Sequence, residues 1–547
     1  MADADAQRYR AAGYWSATET LPLLLAAHAR RVPDRLAVVD DQDRSLTYAQ
    51  LHASATALAA AMSGRGVRAG DVVGVQLPNR AEAAVAAAAA ERLGAIVCPL
   101  VPPYRHSELA HIIGKTSMAM LFIPGTYRGF DYEGMAGTLQ RDQPSLKTVV
   151  TLAPNSGSRA IPYRDLVAVG EGVAWAEPDS DPDAVCAILF TSGTESAPKA
   201  VAHTHNTLLA NVRALIRRLS LTEADGVFMA SPVGHGTGYG FGIRLAAYLG
   251  STLSLLSAWE PRRAAEMLQR YGAAYTHGST PFVQDLAALP DVTDYDFSAL
   301  RYFVTGGAAI PPGTASRVAA TLGCRLLRLY GQTEGFMTTL SLTTDDLAET
   351  EQTDGVPIEG VEVRCVDEDG VPVNAGTPGE CQYRGPHRCV GFLHDRARES
   401  AALTDDGWFR SGDLVTIRED GRVTVVGRKK DVINRGGYKY SPQEIEDVLS
   451  THPDVIRIAI VRQDDPRLGE RACAFVVTAN PQITLKALTA HLNAKGIATF
   501  KWPERLEVVP ELPMTASGKV QKFQLEQRLR SGPAVTADSD QDVGSAS

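Results

Sequence analysis

No two of the seven cysteines stand at C-x-x-C spacing; Cys98, Cys186, Cys324, Cys365, Cys381, Cys389 and Cys473 are scattered and odd in number. That distribution argues against a zinc ribbon or a disulfide frame and reads as reduced core or surface thiols in a cytosolic protein. Long apolar runs are also missing. The most apolar stretch near the N-terminus, Ala81 to Ala90, is alanine-rich, flanked by Glu82 and Glu91, and too short and weakly apolar to span a bilayer. The opening MADADAQRYR lacks the basic-then-apolar pattern of a signal peptide, so a cytoplasmic location is expected. Nor is there a surplus of positive charge: 54 Lys and Arg against 63 Asp and Glu leave a formal net charge of −9. A broad nucleic-acid-binding face is disfavoured, and any anionic ligand must be held by a local site. No internal repeat of fixed period is present.

What the chain has is an ordinary globular composition, 44% hydrophobic and 21% charged, over 547 residues, more than one core usually supports. The spacing predicts a helix over Tyr48 to Met62, a strand over Val72 to Leu77, a helix over Ala81 to Leu93 and a strand over Ala95 to Cys98. The rhythm returns with a strand over Val185 to Phe190, a Gly/Ser/Thr loop and a helix over Asn206 to Leu219. Further strands are expected at Ala274 to His277 and Tyr302 to Thr305. Alternating strands and helices imply an α/β fold, with a parallel or mixed sheet covered by helices. After about residue 380 the texture turns to short strands and Gly turns, which suggests a smaller α+β unit. Ser441-Pro442-Gln443-Glu444 reads as a helix start with a hydroxyl cap, Pro at the first position and a glutamate completing a capping box. The expected division is a large domain over 1–429, a small one over 430–531 and a disordered tail over 532–547.

The chemistry gathers in loops. Thr191-Ser192-Gly193-Thr194-Glu195-Ser196-Ala197-Pro198-Lys199 follows a strand and offers hydroxyls, free backbone and one ammonium, a set able to wrap phosphate oxygens. It lacks the G-K-[ST] ending of a Walker loop. Downstream come Gly306-Gly307-Ala308, Tyr330-Gly331-Gln332-Thr333-Glu334, Ser411-Gly412-Asp413, Gly427-Arg428-Lys429-Lys430-Asp431, Gly436-Gly437-Tyr438-Lys439 and Thr515-Ala516-Ser517-Gly518-Lys519.

In order and spacing these motifs resemble the ANL superfamily of adenylate-forming enzymes, in particular its acyl- and aryl-CoA synthetase branch, over nearly the whole chain. The resemblance implies an acid–thiol ligase that uses ATP, Mg²⁺ and coenzyme A: a carboxylic acid becomes an acyl-AMP, and the acyl group then passes to CoA. It implies that Thr191, Ser192, Thr194 and Lys199 hold phosphates and that Gly306, Gly307 and Ala308 lie against adenine. Tyr330 would stack on the purine beside Gly331, Thr333 would touch phosphate, and Glu334 would hold Mg²⁺. Asp413, assisted by Arg428, would take the ribose hydroxyls. Lys519 would stabilise charge on the reacting phosphorus, Lys430 would be the hinge of a mobile small domain, and Gly436 and Gly437 would line a pantetheine tunnel. His235 matches a histidine bordering the carboxylate site. His203 and His205 read as surface or packing residues and are given no role.

The glycine-spaced run from Gly234 to Gly240 is expected to leave volume for a bulky cyclic or polycyclic acid. No aspartate stands in this region to pair with an amino group, so an amino-acid substrate is disfavoured. Two departures from the family pattern matter: Glu195 stands where threonine is usual, and Ser196 and Ala200 replace glycines. A carboxylate about 6 Å from a phosphate charge opposes it by on the order of 3 kcal/mol at an effective dielectric near 20. Two alternatives therefore stay open: a relative that only transfers an acyl group from an adenylate made by a partner enzyme, and acyl transfer to a separate carrier protein. A homodimer is likewise left open.

Overall fold

The computed structural model describes residues 3–155, 157–175, 178–191, 198–307, 310–515 and 519–531. Ser192, Thr194, Glu195, Ser196, Ala308 and the tail 532–547 lie outside the described residues. Cα packing divides the chain into two compact units: Met1–Lys429 with Thr515–Lys519, and Lys430–Met514 with Val520–Ser547.

The first unit is built on two large sheets. One has nine strands, and six of them run parallel side by side: Arg325–Tyr330, Tyr302–Gly306, Ala273–Gly278, Gly226–Met229, Leu253–Leu255 and Leu36–Asp40. The other has eight strands around a parallel core of Ile96–Pro99, Val72–Val75, Met120–Ile123 and Thr148–Thr151. Five of these strands, Val72–Val75, Met120–Ile123, Gly226–Met229, Leu253–Leu255 and Ala273–Gly278, are buried at every position, with both faces covered as parallel sheets require. Helix Ala81–Arg92 is buried along its whole length; its alanines let the helix sit close against its neighbours, and one apolar cluster joins it to the strands on either side. Helix Tyr48–Gly64 begins on a reciprocal cap, Thr47 accepting from Gln50 N while the Gln50 side chain accepts from Thr47 N.

A four-stranded antiparallel sheet, Glu362–Val366, Gly379–Arg384, Phe409–Ile417 and Val423–Arg428, also belongs to this unit. The turn-rich texture after residue 380 is therefore this sheet first, and only afterwards the smaller unit. A second difference lies upstream. Between Phe190 and the helix His205–Leu219 runs a strand, Ala200–Thr204, paired antiparallel with Val185–Phe190. Its sequence, Ala-Val-Ala-His-Thr, is buried at every position, so no alternation marks it.

The second unit is α+β: antiparallel strands Arg457–Asp465 and Gly469–Val477 form its centre, and helices Pro442–Leu449 and Leu485–Ala494 pack on the apolar face. Ser441 caps the first helix by accepting from Gln443 N, with Pro442 at its start. The expected capping box is not completed. Glu444 accepts instead from Lys501 Nζ at 2.7 Å, an ion pair that outcompetes a return to the cap.

Candidate functional site

The C-terminal ends of the parallel strands Gly226–Met229, Ala273–Gly278, Tyr302–Gly306 and Arg325–Tyr330 all deliver residues to one cavity of about 110 Å³: Ser231, Gly278, Gly306 and Gly331 line it. The crevice beyond the carboxyl ends of such strands is where open α/β sheets place ligands. His235, Gly307, Thr333 and Lys519 reach the same cavity, so these four residues singled out from sequence meet there together with Gly306 and Gly331.

The glycines are there for close approach. A Cβ on Gly331 would stand 1.6 Å from the Phe336 carbonyl oxygen, and Gly307, at φ +82°, would press one to 2.6 Å from Lys519 Cε. Lys519 is half-buried in this wall. Burial and the nearby Arg428 lower its ammonium below the usual lysine range, against the pull of Asp413 and Glu334.

Tyr330, Asp413 and Arg428 form a linked set. Tyr330, at the end of its strand, donates its hydroxyl to Asp413 Oδ2 at 2.8 Å, and Arg428 Nε lies 3.1 Å from Asp413 Oδ1. Asp413 sits not in a free turn but within the strand Phe409–Ile417, directly across from Arg428. The Tyr330 ring is packed with Cys365, Cys381, Val415 and Val423, so most of it is core. Glu334 is only 5% exposed; burial raises its carboxyl, with Lys199 and Arg428 pulling down. Thr191 and Lys199 are tied by two hydrogen bonds, Thr191 N to the Lys199 carbonyl and Lys199 N to the Thr191 side-chain Oγ1, each 3.2 Å. They follow and precede two antiparallel strands, Val185–Phe190 and Ala200–Thr204, unlike the strand-to-helix setting of a Walker loop.

The acid-side wall corrects one expectation. Gly234, Gly238 and Gly240 do not open volume: a Cβ on them would meet the Leu100 carbonyl oxygen at 2.1 Å, the Pro232 carbonyl oxygen at 2.4 Å and the Phe336 ring at 2.6 Å. They admit close packing, and the space beside them is filled. The segment is not a loop either, since Gly236–Gly238 is a short helical turn that continues as a π-helix, Tyr239–Arg244. The open space lies instead among Phe241, His277, Phe282 and Phe336. Phe241 packs on His277 with ring centroids 5.1 Å apart and lies edge-on to Phe336 at 6.1 Å. Burial holds His235 down to about 4 and His277 to about 3, so both rings are neutral near pH 7.

Two contributors carry no sequence signal that was read. His203, assigned nothing from sequence, is buried, donates from Nε2 to the Thr333 carbonyl at 2.8 Å and packs edge-on to Phe336. Phe336 itself has φ +56°, rare for an aromatic residue, and sits between the Tyr330–Glu334 motif and the cavity. The strand Ala200–Thr204 is buried at every position, so no alternation of its residues places His203 against the motif.

In the second unit, Gly436 and Gly437 are the two turn residues of a hairpin between Ile433–Arg435 and Tyr438–Tyr440, at φ +59° and +94°. A tight turn of this kind asks for positive φ at both positions, which by itself accounts for two glycines. Lys430 is that unit's first residue.

Residues 25–393 match the model of the AMP-binding enzyme family, and residues 444–519 match that of the AMP-binding enzyme C-terminal domain. The chain belongs to the AMP-binding enzyme family. It is an adenylate-forming ligase of the acid–thiol class within the ANL superfamily. It is 36% identical over 526 residues to the medium-chain fatty-acid–CoA ligase of Escherichia coli K12, covering 95% of this chain and 92% of that one. It is 34% identical over 539 residues to the salicyl-AMP ligase / salicyl-S-ArCP synthetase of Mycobacterium tuberculosis, covering 97% and 94%. Among solved structures, ATP-bound MatB from Rhodopseudomonas palustris superposes with a TM-score of 0.84 at 27% identity, covering 93% of this chain and 99% of that one. The large α/β unit and the small α+β unit are those of the family. Among the described residues no helix is long and apolar enough to cross a membrane.

Proposed function

We propose that this ligase activates a neutral-bodied monocarboxylic acid, a single aromatic ring in preference to a polycycle, as its acyl-AMP and transfers the acyl group to the thiol of coenzyme A. The observation that carries the acid class is the cavity wall. Aromatic rings from Phe241, Phe282 and Phe336 and the neutral His277 surround the space, and Lys519 is the one charged side chain among its described lining residues. A substrate carboxylate finds its counter-charge at Lys519; a second carboxylate or an ammonium on the same acid would find none. The size, about 110 Å³, is below the roughly 150 Å³ of an apolar cavity that holds benzene, so even a single ring needs some side-chain movement and a polycyclic acid needs much more. The bulky-acid expectation narrows accordingly.

In the first half-reaction a carboxylate oxygen attacks the α-phosphorus of ATP, the bond to the β-phosphate oxygen breaks, and pyrophosphate leaves. Lys519 balances the charge that gathers on the phosphorus oxygens, in a site where burial strengthens the interaction. Asp413, oriented by Tyr330 and Arg428, accepts the ribose hydroxyls. Thr191, Lys199 and Thr333 face the phosphates, and the backbone strip Gly306–Gly307 lies against the adenine. Glu334 would hold Mg²⁺: its buried, desolvated carboxylate suits a hard cation that prefers oxygen and offsets phosphate charge when bound. In the second half-reaction the CoA sulfur attacks the acyl carbonyl carbon, AMP leaves with the electron pair of the broken C–O bond, and the thiol proton passes to solvent. Gly437, with open space where a Cβ would stand, and Gly436, where one would only touch the Leu468 side chain at 3.4 Å, leave passage for a pantetheine arm, with Lys430 as the hinge between half-reactions.

CoA as acceptor and a bulk-phase, cytoplasmic setting are part of this reading. A carrier-protein thiol is the second reading, favoured by the salicyl-S-ArCP synthetase relative. A panel of benzoic, fatty and dicarboxylic acids with ATP and either CoA or a phosphopantetheinyl carrier, followed by mass spectrometry, tests both. Aryl-CoA as the main product is expected; a dicarboxylic acid or a carrier-bound product as the main outcome would overturn the respective part.

A further inference from the structure

A fully buried ion pair stands behind the acid cavity. Glu91, on the helix Ala81–Arg92, and Arg244, the last residue of the π-helix, meet at 2.8 Å with both side chains at 0% exposure. Glu91 Oε1 also accepts from the Tyr239 hydroxyl at 2.5 Å, and Arg244 Nη2 donates to the same hydroxyl oxygen at 3.0 Å. Tyr239 and Arg244 are the first and last residues of the π-helix, five apart. In an α-helix five residues, at about 100° each, would point them about 140° apart. The i→i+5 winding of a π-helix brings them to one side, where a single carboxylate oxygen holds both.

The same site gathers Cys186 and His205, whose ligand atoms with Glu91 all lie within 4.8 Å of one another, a spacing suited to a metal ion. The guanidinium already fills it. Arg244 lies 3.4 Å from Cys186 Sγ and 3.4 Å from His205 Nδ1. His205 Nδ1 also accepts from Leu21 N, which leaves the ring neutral with its proton on Nε2. A cation added among these atoms would meet Arg244 head-on.

We propose that the Glu91–Arg244 pair, joined through the Tyr239 hydroxyl, is a positioning device that winds Tyr239–Arg244 as a π-helix and so holds Phe241 against the acid cavity. Glu91, Tyr239 and Arg244 are absent from the cavity wall; they act through Phe241, which is on it. Burying an ion pair confers little net stability against an apolar replacement, so its use here is to fix one helical winding over the α-helical alternative. The effect on acid selection rests on the function proposed above; the effect on the helix does not.

The test uses the full chain and two variants, Tyr239→Phe, which keeps the ring and the ion pair, and Glu91→Gln, which removes the charge. Backbone hydrogen exchange read by mass spectrometry should quicken about tenfold or more across residues 236–245 in both variants, with the strand Ala273–Gly278 unchanged. With an aryl acid, KM for the acid should rise about tenfold while KM for ATP stays within about twofold. Unchanged exchange across 236–245 would overturn the proposal, as would exchange that rises evenly through the unit in step with a lower Tm. If the wild-type enzyme turns over no aryl acid, the functional reading fails, and the exchange arm still decides the winding.

Discussion

The Tyr330 hydroxyl holds Asp413 from one side while Arg428 holds it from the other, at 2.8 and 3.1 Å, so the carboxylate is aimed before any nucleotide arrives. Tyr330→Phe removes a hydrogen bond to a charged group, worth about 1.5 to 3 kcal/mol. Part of that appears as nucleotide binding: KM for ATP should rise about three- to tenfold with KM for the acid unmoved. Steady-state kinetics with each substrate varied in turn checks it, and equal changes in both constants would count against the orienting role.

Lys519→Ala should abolish adenylate formation, by about a hundredfold or more, and leave thioester formation from a supplied acyl-adenylate largely intact. The lysine answers charge on the reacting phosphorus, which the second step does not develop. Single-turnover assays of the two half-reactions separate the cases, and equal loss in both would contradict the assignment.

Phe336 pairs a positive φ with a ring that lines the cavity. Truncating a buried Phe typically costs about 3 to 5 kcal/mol, but glycine escapes the left-handed penalty of about 1 kcal/mol that alanine retains. Phe336→Gly should therefore melt above Phe336→Ala, the reverse of the usual order, and both should shift preference toward bicyclic acids. Thermal denaturation of the pair decides the first point and a competition assay the second.

Histidines held well below the free imidazole value set an acid limit on stability. Burial holds His203 and His235 at about 4 and His277 and His387 at about 3, below the 6.5 of a free imidazole. The unfolded chain takes up these protons first as pH falls. The stabilisation is thus complete above about pH 6.5 and is lost progressively toward pH 4, by up to about 1.4 kcal/mol per pH unit for each group. Urea midpoints from pH 8 to pH 5 should fall below pH 6.5; a flat profile would contradict the buried neutral state.

All seven cysteines are buried, and burial raises Cys98, Cys186, Cys324, Cys365, Cys381, Cys389 and Cys473 above the ordinary thiol range. A thiol reagent should label none of them within minutes in the native protein and all seven in denaturant. Rapid labelling of the folded enzyme would refute this.

Much of the fold was legible because its signals are local. The strand Val185–Phe190 and the helix Tyr48–Gly64 are written in contiguous apolar spacing, and motif glycines such as Gly331 mark places where backbone approaches backbone. What escaped depends on distant partners. The π-helix answers to Glu91, some 150 residues upstream, and no window of local sequence contains both. The glycines of 234–240 were misread as open volume because a sequence does not say what fills the space beside a missing side chain; here Phe336, Leu100 and Pro232 do. His203 looked like packing and is packing, yet its ring nitrogen fixes the carbonyl of Thr333.

This chain is expected to make its own acyl-adenylate. Glu195 bears on that most directly, as a carboxylate in the expected phosphate loop that would oppose the β- and γ-phosphates of ATP and spare an adenylate that lacks them. Acid-dependent exchange of labelled pyrophosphate into ATP, without CoA, reads that step alone. Robust exchange with a single-ring aryl acid is expected. Absence of exchange across a broad acid panel, while a synthetic acyl-adenylate and CoA still give thioester, would contradict it and assign adenylation to a partner enzyme.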